Sequence, residues 1–223
     1  MDLTGKRVIV TGGAGILGQA VGATCQRNGA AVVMLDIVEG FESDLGDTHT
    51  VDLTDIDAVR RCVDAVGNFD VVCNIAGGFD MGLDVSEITD EHWDAMFDIN
   101  VTTLRNVLRV TLPRLVERGG GSIVNVGALG ALQGQAAMGA YTAAKSVVMR
   151  LTEAASAEVR QHGVNVNAVL PSLIDTPRNR SDLPNADFAT WVSPGKLANV
   201  VCFLASDAAS DVHGVLLPVA GRV

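Results

Sequence analysis

With 223 residues, 48% of them apolar and 4% aromatic, the chain is long enough for one sizeable core and too apolar for disorder. Its net charge of −10 argues against nucleic acid or an anionic membrane as partner, so an anionic ligand would have to be met by local donors such as backbone N–H groups. The four cysteines are scattered, with no C-x-x-C pair and no histidine at ligand spacing; they read as reduced core thiols, and no metal site is expected.

In chain order, β-branched runs alternate with longer helical patterns, the signature of βαβ units on a parallel sheet. "KRVIVT" (6–11) predicts the first strand, followed by a Gly-rich turn and a helix over about 16–28. The apolar run after Met1 is too short for a signal peptide and no stretch reaches membrane-spanning length, which predicts a cytoplasmic, soluble domain. "AAVVMLD" (30–36) is the second strand and "HTVD" (49–52) a short third. A helix follows at about 55–67, then a buried strand, "DVVCNIA" (70–76). One long helix is expected over 90–118, capped by Thr89 or Asp90.

"GSIVNVGA" (121–128) is the fifth strand, and the next helix should run to about His162, where Gly163 ends it. "VNVNAVLP" (164–171) is the sixth strand. A proline-containing polar segment, 172–194, precedes a helix at about 195–206 and a last strand, "GVLLPV" (214–219). Without repeats or a domain boundary, residues 1–223 read as one doubly wound α/β domain.

"VIVTGGAGILG" satisfies G-x-G-x-x-G through Gly13, Gly15 and Gly18, between a strand and a helix as the motif requires. The turn, with Gly12, Gly13, Gly15, Ile16, Leu17 and Gly18, is therefore the expected pyrophosphate cradle. Asp36 ends the second strand, where a carboxylate accepts the ribose hydroxyls of NAD and repels a 2′-phosphate. No Arg or Lys stands in "LDIVEGFESDLGD", so NADH is expected over NADPH. Tyr141 and Lys145, four apart on a helix, share one face, and a neighbouring ammonium should move the phenol's proton toward the working range.

These motifs, together with "VDLTD" (51–55), "NIAG" (74–77), "DIN" (98–100), "YTAAK" (141–145) and "PSLIDT" (171–176), make the chain resemble the short-chain dehydrogenase/reductase family along nearly its whole length. The resemblance implies a seven-stranded parallel sheet in the order 3-2-1-4-5-6-7 and a homodimer or homotetramer. It implies that Asp52 and Leu53 contact the adenine and that Asn74, Ala76 and Gly77 line the ribose side. Pro171, Ile174 and Thr176 would border the nicotinamide, with residues 172–194 as a substrate lid. Tyr141 would donate the proton, Lys145 would bind the ribose and bias Tyr141 toward phenolate, and Asn100 would kink its helix and carry a relay water.

The chain also departs from the family pattern. Ile16 stands where a middle glycine is usual, Ser172 replaces a glycine after Pro171, and Ala128 occupies the place of the catalytic serine. Losing one such hydrogen-bond donor typically costs about 3 kcal/mol of barrier, roughly a hundredfold in rate. The substrate is therefore unusually reactive, or the donor comes from elsewhere, or catalysis has been lost. Within the family the chain resembles the quinonoid dihydropteridine reductase branch, which shares the alanine, the shifted glycine turn and a lid similar to "IDTPRNRSDLPNADFATW" (174–191). That implies an NADH-dependent reductase of a quinonoid dihydropteridine or a comparable conjugated imine. A carbonyl reductase of another substrate and a non-catalytic NAD-binding sensor remain the alternatives. Phe79 and Trp191 read either as walls for a flat ring or as core, Arg178 and Arg180 either as substrate contacts or as solvated charges. The apolar face Ala140, Ala144, Val147, Val148, Leu151, Ala155 reads as dimer interface or core.

Overall fold

Residues 1–223 are described by a computed structural model. Seven strands form one all-parallel sheet: β1 (Arg7–Thr11), β2 (Ala31–Asp36), β3 (Gly46–Thr50), β4 (Val71–Asn74), β5 (Gly121–Val126), β6 (Val164–Pro171) and β7 (Leu216–Val219), in the order β3-β2-β1-β4-β5-β6-β7. The central strands are apolar at consecutive positions because both faces are covered. Alternate residues feed two cores. Ile9, Val33, Leu35, Val72 and Ile123 face one; Val8, Val10, Met34, Cys73 and Val124 face the other.

The helices are α1 (Ile16–Arg27), α2 (Ile56–Val66), α3 (Asp90–Phe97), α4 (Thr103–Arg118), α5 (Gly139–Val159), α6 (Pro177–Asp182) and α7 (Pro194–Ala205). Residues of α1 and α7 pack into the second core, and residues of α2, α4 and α5 into the first. No helix is long and apolar enough to cross a membrane. All four cysteines are free, and Cys25, Cys73 and Cys202 are buried, as their core reading required.

Several expectations are corrected. The single helix over 90–118 is two helices joined by a π-helical turn, Asp98–Thr102, while Thr89 caps α3 by accepting the His92 N–H at 3.2 Å. Strand three lies at 46–50 instead of 49–52, the fourth and fifth stop at Asn74 and Val126, and the seventh begins at Leu216. Segment 172–194 is ordered: it contains α6, a short 3-10 turn at Phe188–Thr190, and a bridge between Ile174 and Val192. On α5, Ala140, Ala144, Val148 and Ala155 are buried within the chain itself, so they are core. The helix passes through a 3-10 turn to His162, and left-handed Gly163 ends it as expected.

Candidate active site

The site lies at the carboxyl ends of β1, β4, β5 and β6, where parallel strands present their loops. After β1, Gly12 has φ +65, and a Cβ there would stand 2.9 Å from the Ala76 backbone, so both conformation and space call for glycine. Gly18 is tighter still, with an added Cβ 2.0 Å from the Gly12 carbonyl oxygen. Gly15 is the N-cap of α1 and supplies no side chain, and the helix's first backbone bond is Gln19 N–H to Gly15 O at 2.9 Å. The N–H groups of Ile16, Leu17 and Gly18 are thus left open at a positive helix end, a cradle suited to a pyrophosphate.

Two ties hold this turn. The Gly13 N–H donates to Leu35 O at 2.9 Å, and the Ala14 N–H donates to Asp36 Oδ2 at 2.9 Å. Asp36 Oδ1 accepts the Val38 N–H at 3.2 Å. The carboxylate therefore stands fixed at the end of β2 beside the cradle. On the other side, Thr11 Oγ1 accepts from both Ile75 N–H (3.0 Å) and Ala76 N–H (3.1 Å), binding the ends of β1 and β4 together. Glycine turn, open helix end and fixed acid fit a dinucleotide.

Not every predicted contact has a side chain free for it. Asp52 is exposed, but its Oδ1 accepts both the N–H and the hydroxyl of Thr54. Leu53 is 7% exposed and packs into the first core, leaving only its backbone to a ligand. Asn74 is turned into the sheet: its Nδ2 donates to Asn125 Oδ1 at 2.9 Å, and Asn125 Nδ2 donates to Thr152 Oγ1 at 2.9 Å. Register decides this, since Asn74 and Asn125 are partners across β4 and β5. The Asn125–Thr152 link is a site-adjacent feature the motif reading misses; pairing the two strands reveals it.

Around the reacting centre, Lys145 is 6% exposed and its Nζ donates to Val126 O at 3.0 Å. Asn100, in the π-helical turn, is 2% exposed and bonds to Gly78 and Met96. Gly77 separates the two: a Cβ on it would lie 2.9 Å from Asn100 Oδ1 and 3.1 Å from Lys145 Nζ. Tyr141 is half-buried, with the Phe79 ring edge-on at 4.9 Å and 87°. Burial pushes its phenol up to about 12 and pushes the Lys145 ammonium down to about 8. Burial acts on Tyr141 against the phenolate, and the Lys145 ammonium points at a strand carbonyl.

Ala128 is 5% exposed and packs with Ala131, Met149 and Leu170, against which Tyr141 also rests. A Cβ on its neighbour Gly127 would stand 2.5 Å from Leu170 Cδ2, so a side chain there would need that leucine to shift. Beyond β6, Pro171 is buried, Ser172 donates its hydroxyl to Ala220 O at 2.7 Å, and Thr176 caps α6 by accepting the Asn179 N–H. Asn179 Nδ2 donates to Ile174 O at 2.7 Å. Trp191 is core at 7% exposure, with Phe188 edge-on to it. Arg180, exposed as expected, is not merely solvated: it grips both oxygens of Asp175 and lies over the Phe188 ring.

The family description "short chain dehydrogenase" matches residues 6–187. The chain is 31% identical over 245 aligned residues to 3-oxoacyl-(acyl-carrier-protein) reductase FabG of Thermotoga maritima, covering 99% of this chain and 98% of that one. The chain belongs to the short-chain dehydrogenase/reductase family. Its fold matches that of carveol dehydrogenase from Mycobacterium avium in complex with NAD, with TM-score 0.86, 28% identity, and coverage of 98% and 97%. It also matches a gluconate 5-dehydrogenase from Beutenbergia cavernae with bound NADP, with TM-score 0.90, 27% identity, and coverage of 99% and 97%. This short-chain dehydrogenase is accordingly an NAD(P)-dependent oxidoreductase built on one Rossmann-like domain.

Proposed function

We infer that the protein is an NADH-dependent reductase of a conjugated, electron-poor ring, of the quinonoid dihydropteridine type. Ala128 carries this reading. Where the reaction of a simple ketone gathers charge on one oxygen and asks for a second donor, this site offers a methyl group in an apolar cluster, and Gly127 brings no hydroxyl either. A quinonoid ring spreads the arriving charge over several nitrogens and a carbonyl, so one proton donor suffices. Bound NADH supplies the hydride.

Tyr141 is the proton donor in this reading. A phenol held near 12 stays protonated at neutral pH, as a donor in reduction must be. Lys145, buried beside the Gly77 backbone, binds the nicotinamide ribose, and Asn100 fixes the loop on which Gly77 and Gly78 lie. Asp36 accepts the adenosine ribose hydroxyls and disfavours a 2′-phosphate, hence NADH. Residues 172–194 form the lid, tethered by Asp175–Arg180 and the Ile174–Val192 bridge. A homodimer or homotetramer in the cytoplasm completes the reading. Support for assembly comes from α3, which buries no residue in the chain and leaves the stacked Trp93–Phe97 pair partly open.

A ketone reductase is the second reading, favoured by the full-length similarity to the Thermotoga reductase. One experiment separates them: NADH oxidation with chemically generated quinonoid dihydropterin, with NADPH and Tyr141→Phe in parallel. Fast turnover with NADH that collapses in Tyr141→Phe supports the pteridine reading. Turnover of ketones alone would replace it with the second.

A further inference from the structure

The last two rungs of the β6–β7 ladder are short of donors. Leu170 stands opposite Pro218 and Pro171 opposite Val219, and a proline has no N–H to give. Ser172, the next residue, supplies two donors at this end. Its N–H donates to Val219 O at 3.1 Å, and its hydroxyl donates to Ala220 O at 2.7 Å. The other donor to Ala220 O, the Val223 N–H, stands at 3.5 Å. Glycine, which the family pattern puts at this position, keeps the first bond of Ser172 and loses the second.

The residues after β7 also reach the far end of segment 172–194. The Arg222 N–H donates to Thr190 O at 2.8 Å, and Gly221, at φ +68, passes so close that a Cβ would stand 2.5 Å from the same oxygen. The two ends of the segment are joined to each other as well. The Val192 N–H donates to Leu173 O at 2.9 Å, and the Asp175 N–H donates to Val192 O at 2.8 Å. Residues 172–176 and 190–192 thus make a half-buried to buried stem, gripped by 219–222. From Pro177 the chain turns outward, with the side chains of Arg178 and Arg180 73% and 52% exposed. Ile174 and Thr176, the residues expected to border the nicotinamide, belong to the stem.

We propose that Ser172 is a positioning residue for the bound cofactor. Its hydroxyl ties the stem to the end of β7, which holds Ile174 and Thr176 in place and confines movement of the lid to 177–189. Without the hydroxyl the stem keeps its backbone bonds but gains play, and a bound nicotinamide then meets a wall that is less firmly fixed. The inference rests on residues 172–194 covering the nicotinamide, and not on the pteridine.

The test compares the full chain with Ser172→Ala, Ser172→Thr and Gly221→Ala. Each is digested with trypsin with and without saturating NADH, and NADH affinity is titrated through its fluorescence. In the wild type NADH should slow cleavage after Arg178 and Arg180 at least about tenfold, since a covered lid opens less often. Ser172→Ala should lose most of that protection and bind NADH about fivefold more weakly, the effect of one hydrogen bond. Cleavage after the exposed Arg60 and Arg61 of α2 should not change. The thermal midpoint without cofactor should move by no more than about 3 °C. Ser172→Thr, which keeps the hydroxyl, should restore protection and affinity, and Gly221→Ala, which pushes against Thr190 at the other root, should imitate Ser172→Ala. A Ser172→Ala protein that matches the wild type on both readouts, or a Thr variant no better than the Ala variant, overturns the proposal while leaving the lid in place. An equal rise of cleavage at Arg60 and Arg61 also overturns it, because it marks general loosening of the fold. A wild-type segment that NADH leaves as open to trypsin as before removes the lid reading, and the role of Ser172 falls with it.

Discussion

Asn100 holds Gly78 at both of its backbone polar atoms: Oδ1 accepts the Gly78 N–H at 3.1 Å, and Nδ2 donates to the Gly78 carbonyl at 3.1 Å. Nδ2 also reaches Met96 O at 3.0 Å, so one buried amide joins the loop after β4 to the end of α3. The π-helical turn makes this possible, because the extra residue per turn swings Asn100 inward from the helix line. Asn100→Ala strands three partly buried groups at about 1 kcal/mol each. The expected outcome is a thermal midpoint lower by roughly 5–10 °C, with turnover reduced more than tenfold; differential scanning calorimetry and steady-state kinetics check it.

Gly77 is small because two functional side chains need its space. A Cβ at 2.9 Å from Asn100 Oδ1 and 3.1 Å from Lys145 Nζ meets groups that are both hydrogen-bonded and cannot retreat freely. Gly77→Ala should therefore cost activity out of proportion to stability: kcat down at least about tenfold, while unfolding shifts by about 1–2 kcal/mol. A large loss of stability with unchanged kcat would contradict this account.

Asp36 holds the turn through the Ala14 N–H, and in the proposed reading it also meets the ribose. Asp36→Ala should raise KM for NADH about tenfold and move the NADPH-to-NADH ratio of kcat/KM toward NADPH, since the repelling charge is gone. Paired cofactor titrations measure it. An unchanged ratio would mean that selectivity lies elsewhere.

Most strand positions were readable because both faces of a parallel sheet are covered, while the order 3-2-1-4-5-6-7 followed from the family resemblance. The strands then appear as apolar runs between Gly-rich and polar turns, as in "RVIVT" and "AVVMLD". The break in 90–118 was legible only through the family resemblance, which implies a kink at Asn100, because every residue of "FDINVTT" tolerates a helix. The π turn answers to what Asn100 contacts, not to local propensity. Asn74 shows the same limit. Its motif marks a cofactor neighbour, but side-chain direction follows strand register, which aims its amide at Asn125. Tyr141 and Lys145 were legible as a pair, whereas the balance between burial and charge that sets their proton affinities depends on depth, which spacing alone does not give.

Lys145 makes a stability prediction with a definite sign. Burial depresses its ammonium from 10.5 to about 8, so between those values the unfolded chain binds the proton more tightly and the folded protein gains stability as pH rises. Below about pH 8 the folded state bears the full cost of a buried charge, on the order of 3 kcal/mol. Lys145→Met removes that cost and forfeits the bond to Val126 O, about 1 kcal/mol. The variant should be inactive yet more stable than the parent at pH 7, by roughly 1–2 kcal/mol, with the advantage vanishing by about pH 10. Tyr141, shifted upward, adds its own loss of stability only as pH climbs from 10 toward 12. Thermal melts of both proteins from pH 7 to 10 test the crossing.

Restoring a hydroxyl at position 128 separates the two readings of the chemistry most directly. Ala128 sits at 5% exposure among Ala131, Met149 and Leu170, so a serine there buries a polar atom in an apolar cluster. Until substrate arrives, Ala128→Ser should cost about 1–3 kcal/mol of stability. For a simple ketone the new donor meets the oxygen that gathers charge, and kcat/KM should rise by roughly tenfold to a hundredfold. For a quinonoid ring, whose charge is already dispersed, the hydroxyl has no single atom to stabilise, and the rate should stay level or fall. Opposite responses on the two substrate types would tie the alanine to the conjugated ring. A parallel gain on both would show that the native site simply lacks a donor, and the ketone reading would then lead.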